Sequence, residues 1–215
     1  MSRIVVIGGH GKVAMRLAPQ LVEAGHEVIS LVRNPDHVAE VEQTGAHAQV
    51  ADVESLNVAG IAEVFSGADA VVWSAGAGGG APERTYAVDR DAAIRSMEAA
   101  AQAGVDRYVM VSYFGAGPEH GVDPDDGFYA YAEAKAAADA HLKGTDLAWT
   151  ILGPSALTLE AGTGRIETGA GVTGSEASRD NVAQVIAATL ADDSTVRRVI
   201  EFNDGDTPIA EAITA

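Results

Sequence analysis

The 215-residue chain contains no cysteine. That excludes disulfides, thiolate nucleophiles and cysteine-ligated metal sites, and it fits a reducing compartment. Lysine is nearly as scarce: Lys12, Lys135 and Lys143 are the whole complement, and the formal charge is −17. Such a surface repels nucleic acid and anionic lipid, so any bound anion needs a local exception. The acidity itself reads as a solubility feature. Aromatic residues make up only 5%, and no apolar run approaches the roughly 20 residues that span a bilayer. The start, Met1-Ser2-Arg3-Ile4, has neither the charged nor the apolar region of a leader, so a cytoplasmic protein is expected. The histidines His26, His37, His47, His120 and His141 are scattered without metal-ligand spacing, and no metal site is expected. Gly121 to Gly127 is acidic but lacks the spacing of a calcium loop.

What the chain does contain is an alternation of short apolar runs with helical stretches. Strands are expected over 3–7, 27–32, 48–53, 70–75, 107–113, 148–152 and 196–202. Helices are expected over 12–24, 35–43, 56–65, 85–103, 128–143 and from Ser178 to about Leu190, with Ser178 as a cap. Strands separated by helices call for right-handed crossovers and a parallel sheet covered on both faces, a doubly wound α/β fold. Gly25, Gly45, Gly67, Gly104 and Gly144 each follow a helical stretch, where a left-handed closing residue is expected. Pro19 conflicts with the first helix as drawn. After Pro154 the pattern loosens into glycine-rich segments, and 1–215 reads as one domain in which about 154–195 form a small cap on the substrate side, over the carboxyl edge of the sheet.

The first crossover, "VIGGHGKVA", places Gly8, Gly11 and Ala14 between the first strand and the first helix. Such a turn needs glycine for its backbone angles, no side chain where a pyrophosphate approaches, and a small residue where helix packs on strand. The following helix start, with the backbone of Val13, offers amides and a favourable dipole to phosphates. The alternative is a tight turn that binds nothing; its place at the first crossover favours a nucleotide. His10 and Lys12 add donors to the same phosphate cluster. The second strand ends in Arg33 with no carboxylate until Asp36, which suits a 2′-phosphate and so NADP over NAD, NAD remaining open. Asp52 and Val53 close the third strand where adenine is expected. Ser74, Ala75 and Gly76 close the fourth, where small residues leave room for the ribose and its linkage.

With "LVRNP", "ADV", "VVWSAGA", "VMVSYFGA", "YAEAK", "DLAWTILGPSAL" and "SRDNVA" added in order, nearly the whole chain resembles the atypical short-chain dehydrogenase/reductases. The similarity is greatest to small NAD(P)-binding members near the NmrA-like and flavin-reductase-like groups, with a Rossmann-like fold. Tyr131 and Lys135 stand four apart on one helical face, where an ammonium is expected to lower a phenol pKa that starts near ~10. The resemblance implies that Lys135 also holds the nicotinamide ribose, that Tyr131 exchanges a proton with the substrate, and that Ser112 hydrogen-bonds the substrate carbonyl. It places Pro154 beside the nicotinamide. Gly153 departs from the family, whose members usually carry an arginine before the proline.

The function expected is an NAD(P)H-dependent oxidoreductase, NADPH-preferring, acting on a small carbonyl, quinone or flavin-like substrate as a monomer or homodimer. Phe114, Tyr129 and Leu157 are expected to make its pocket small and apolar. The alternatives are a non-catalytic NADP(H) sensor of the NmrA-like type and a sugar-nucleotide epimerase or dehydratase, against which the short tail argues.

Overall fold

The first strand shows why the chain folds as it does. In β1 (Arg3–Ile7), Ile4 and Val6 join a core with Leu17, Leu21, Val182 and Ile186, while Val5 and Ile7 join another with Ile61, Phe65 and Met97. Side chains alternate between faces of a strand, so an unbroken apolar run must be covered on both. Each such residue, once buried, contributes about 1.5–3 kcal/mol. In this computed structural model, which describes residues 1–79, 81–169 and 171–214, the covering is done by helices that follow nearly every strand.

In chain order these are α1 (Ala14–Glu23), β2 (Glu27–Val32), a 3-10 turn Pro35–His37, α2 (Val38–Glu42), β3 (His47–Val50), α3 (Val58–Val64), β4 (Ala70–Trp73) and α4 (Pro82–Thr85). There follow a π-helical stretch Tyr86–Ala92, α5 (Ala93–Ala103), β5 (Arg107–Val111), α6 (Tyr129–Lys143), β6 (Ala148–Pro154), β7 (Ala156–Thr158), β8 (Arg165–Thr168), β9 (Glu176–Ser178), α7 (Arg179–Ala191), β10 (Arg198–Asp204), β11 (Thr207–Pro208) and α8 (Ile209–Ala212). The sheet order is β11-β8-β10-β6-β5-β4-β1-β2-β3. From β3 to β10 every pairing is parallel; β8 and β11 extend that edge antiparallel, and β7 pairs with β9 in a separate ribbon. The doubly wound α/β fold is therefore present, and β1 and β4 flank the point where the winding reverses, which opens a crevice at their carboxyl ends.

Several boundaries differ from the sequence reading. α1 starts at Ala14 rather than at residue 12 and runs through Pro19, which forgoes one backbone bond. β3 ends at Val50, so Asp52 and Val53 lie in the turn beyond it. Gly25, Gly45, Gly67 and Gly104 take positive φ, but Gly144 does not, at −83°. Ser178 caps α7, its hydroxyl accepting the Asn181 amide at 3.1 Å. β8, β11 and α8 attach to the sheet edge, and Ala170 of the glycine-rich stretch lies outside the described residues.

Candidate active site

The turn after β1 is bare for steric reasons on three sides. Gly8 has φ +82°, and a Cβ there would lie 2.7 Å from the Ala75 Cα. At Gly9, which the motif did not single out, a Cβ would lie 2.6 Å from that of Ser30; at Gly11 it would meet the Gly8 carbonyl at 3.0 Å. The turn thus brings the ends of β1, β2 and β4 together, tied by Gly9 N–H to Leu31 O at 2.8 Å and Gly11 N–H to Gly8 O at 2.8 Å. Among the described residues the amides of Lys12 and Val13 donate to no protein acceptor, so donors remain at the start of α1. This is a cradle that side chains would fill, and it fits a dinucleotide diphosphate.

Three chambers with shared walls lie from this turn across the strand ends. The first, about 310 Å³, is lined by Gly8, His10, Gly11, Arg33, Asp52, Val53 and Ser74 to Gly76. At its rim the His10 ring stacks on His37 at 3.7 Å and its Nε2 lies 2.8 Å from Glu40. Arg33 is not alone there: its Nη1 donates to Glu54 Oε2 at 3.1 Å, and Arg84 Nη2 lies 3.8 Å from the same oxygen. The carboxylate that the end of β2 lacks is supplied from beyond β3. Asp52 accepts the Glu54 amide at 3.1 Å with one carboxylate oxygen.

The second chamber, about 530 Å³, continues past Ser74 to Gly76 and is lined by Lys12, Val13, Asp89, Ser112, Tyr131 and Arg179. Lys12 lines this chamber and not the one at Arg33. The third, about 460 Å³, shares Ser112, Tyr131 and Leu157 and adds Tyr113, Phe114 and Pro154; Tyr129 lines none of the three. The Tyr113, Phe128 and Tyr131 rings lie 5.2–5.6 Å apart. Beside Gly153, Glu201 takes the place of a side chain: a Cβ on the glycine would lie 3.0 Å from its Cγ, and its carboxylate accepts the Gly115 amide at 2.8 Å.

Beneath Tyr131 the structure departs from the expected pairing. Lys135 is fully buried and lines no chamber; its Nζ donates to Val111 O at 2.9 Å and contacts Met110 Sδ at 3.1 Å. The Tyr131 phenol is pushed up from its ordinary pKa, not down, first by burial and then by the carboxylates of Asp89 and Asp139. Both aspartates are themselves buried and raised by that burial, with Lys135 opposing the shift in each. Lys135 is lowered by burial, against the same two carboxylates. Ser112 Oγ donates to Asp139 Oδ2 at 2.5 Å, and Asp89 accepts the Ala77 amide at 3.0 Å. Asp89, Asp139 and Glu54 were not read from the sequence. Asp139 follows Lys135 by the spacing that separates Lys135 from Tyr131, and that regularity was a usable signal.

A bare crossover turn, small residues at the next strand end and a chamber holding a tyrosine and a serine define a dinucleotide-binding α/β protein. The chain belongs to the NAD(P)H-binding family, whose profile matches residues 8–193. It is 34% identical over 213 residues to an uncharacterized sugar epimerase, YhfK, of Bacillus subtilis (strain 168), covering 98% of each chain. Among solved structures it is similar to a Bacillus halodurans protein assigned as an NAD-dependent epimerase/dehydratase (32% identity, TM-score 0.90, 99% of each chain). It is also similar to the oxidoreductase ylbE of Lactococcus lactis (30%, 0.87, 98% of this chain and 94% of that one).

Proposed function

We propose that the protein is an NAD(P)H-dependent oxidoreductase, favouring NADPH through Arg33, that reduces a small carbonyl, quinone or flavin-like compound in the chambers beside Tyr131. The supporting observation is that the chamber at the glycine cradle and the chamber that holds Tyr131 and Ser112 share Ser74, Ala75 and Gly76 as walls. Bound cofactor supplies the hydride. Gly8, Gly9 and Gly11 admit its diphosphate to main-chain amides, while Ser74 to Gly76 leave space for the ribose beyond. Asp52 and Val53 flank the adenine, and Pro154 walls the substrate side. Within about 154–195, β8 belongs to the sheet and α7 to the core beneath β1, so the β7–β9 ribbon is what acts as a small cap on a single-domain chain; a monomer or homodimer in the cytoplasm suffices for this chemistry.

The proton side follows from the buried network. A raised Tyr131 stays neutral at working pH and donates its hydroxyl to the substrate oxygen. Ser112 Oγ donates to Asp139 Oδ2, which fixes the serine oxygen at the wall of the chamber beside Tyr131. Lys135, buried beneath the chamber, opposes the burial-driven rise of both aspartates.

The test is a panel of carbonyls, quinones and flavins followed by loss of reduced-nicotinamide absorbance. Tyr131→Phe is expected to lower turnover by at least about 100-fold, and unchanged turnover with every substrate that wild type reduces overturns the assignment. One observation favours a second reading, a non-catalytic cofactor sensor: Lys135 donates to Val111 O and contacts Met110 Sδ rather than the Tyr131 hydroxyl. Binding of both oxidised and reduced cofactor without turnover across the panel supports that reading instead.

A further inference from the structure

At the adenosine end of the cleft one carboxylate sits between two guanidiniums. Glu54 lies just beyond β3, whose neighbour β2 ends beside Arg33, so the parallel pairing of these strands brings the two side chains to one rim. The backbone of Glu54 is held on both sides. Its amide donates to Asp52, and its carbonyl accepts Arg95 Nη2 at 3.0 Å, with the Val53 carbonyl taking the same nitrogen at 3.3 Å. Arg84 is fixed in turn by its bond to Ala77 O at 2.6 Å. The carboxylate is therefore delivered to Arg33 by the fold. Arg33, Glu54 and Arg84 side chains are 57%, 29% and 38% exposed, so their ion pairs are screened and are readily exchanged for a ligand.

The two pyridine dinucleotides differ at this rim by a single group. A 2′-phosphate matches the planar fork of an arginine, but here it must take Arg33 from Glu54 and then lie beside a like charge. A 2′-hydroxyl is a donor, and an ionised carboxylate only accepts; it bonds to Glu54 while Arg33 keeps its partner. We propose that Glu54 is the residue that sets cofactor choice, admitting NADH alongside NADPH and keeping the preference for NADPH small. The proposal rests on the reading that a pyridine dinucleotide occupies the cleft.

Equilibrium titration of the full chain with NADPH and NADH, at one ionic strength, tests it without recourse to turnover. Wild type is expected to bind both. Glu54→Gln is expected to raise the ratio of NADPH to NADH affinity about tenfold, a change of about 1.4 kcal/mol. Arg33→Ala is expected to lower NADPH affinity by a similar factor and to leave NADH within about twofold. If both cofactors bind wild type and Glu54→Gln leaves the ratio unchanged, or moves it toward NADH, the role of Glu54 is wrong while the dinucleotide reading stands. If wild type binds neither cofactor, the dinucleotide reading fails and this proposal with it.

Discussion

Gly8→Ala tests the reason for the bare turn. Two terms add at this position. An L-residue at φ +82° costs about 1–2 kcal/mol, and a Cβ placed 2.7 Å from the Ala75 Cα and 2.9 Å from the Ser74 carbonyl meets backbone, which cannot swing away. Overpacking of that kind costs about 1–3 kcal/mol. The sum, about 2–5 kcal/mol, corresponds to a fall of roughly 4–20 °C in melting temperature for a chain of this size. Gly25→Ala is the control, because Gly25 has φ +85° but nothing within 4 Å of a Cβ; it carries the backbone term alone, roughly 2–8 °C. Thermal unfolding followed by circular dichroism reads both variants. If Gly8→Ala melts no lower than Gly25→Ala, the close approach of β4 to the turn is not what demands glycine, and the steric account of the cradle is refuted.

Lys135→Met removes the buried donor to the Val111 carbonyl, and urea unfolding is expected to show a loss of about 1–3 kcal/mol. NADPH affinity of the folded protein should change less than about threefold; a large affinity loss with little destabilisation would mean that the ammonium reaches the cofactor. Asp139 has a raised folded-state pKa, so its contribution is full below the ordinary aspartate value of about 3.9 and is lost as pH rises through the raised value. The stability deficit of Asp139→Asn relative to wild type should therefore shrink as pH climbs from about 4 toward neutrality, and a pH-independent deficit contradicts the burial-driven shift. Arg107 donates to Ala148 O, Thr150 Oγ1, Thr189 O and Thr195 Oγ1, joining β5 to β6 and to the end of α7. Arg107→Lys cannot reproduce that fork and is expected to lose about 2–3 kcal/mol in urea titration.

The parallel sheet and its crevice were legible because apolar runs covered on both faces have few other solutions, and Gly8 and Gly11 declared the turn through their spacing together with their place at the first crossover. Gly9 was not legible, since its requirement comes from Ser30 on the neighbouring strand. Glu54 was missed for the same reason: an acidic residue was sought along the end of β2, whereas the parallel register supplies it from beyond β3. The spacing of Tyr131 and Lys135 was read correctly as one helical face, but not that this face turns its lysine under β5. Asp89 sits in a run that reads as ordinary alanine-rich helix, yet the chain is π-helical from Tyr86 to Ala92, a local widening with no residue signature. Past Pro154 the strands are two to four residues long apart from β10, too short for alternation to show.

The most direct measurement is a crystal structure of the chain grown with NADP⁺. Diphosphate density against the amides of the Gly8 to Val13 turn, with the nicotinamide in the chamber of Tyr131 and Ser112, is the predicted result. A cofactor lying elsewhere, or with its nicotinamide turned away from Tyr131, contradicts the account.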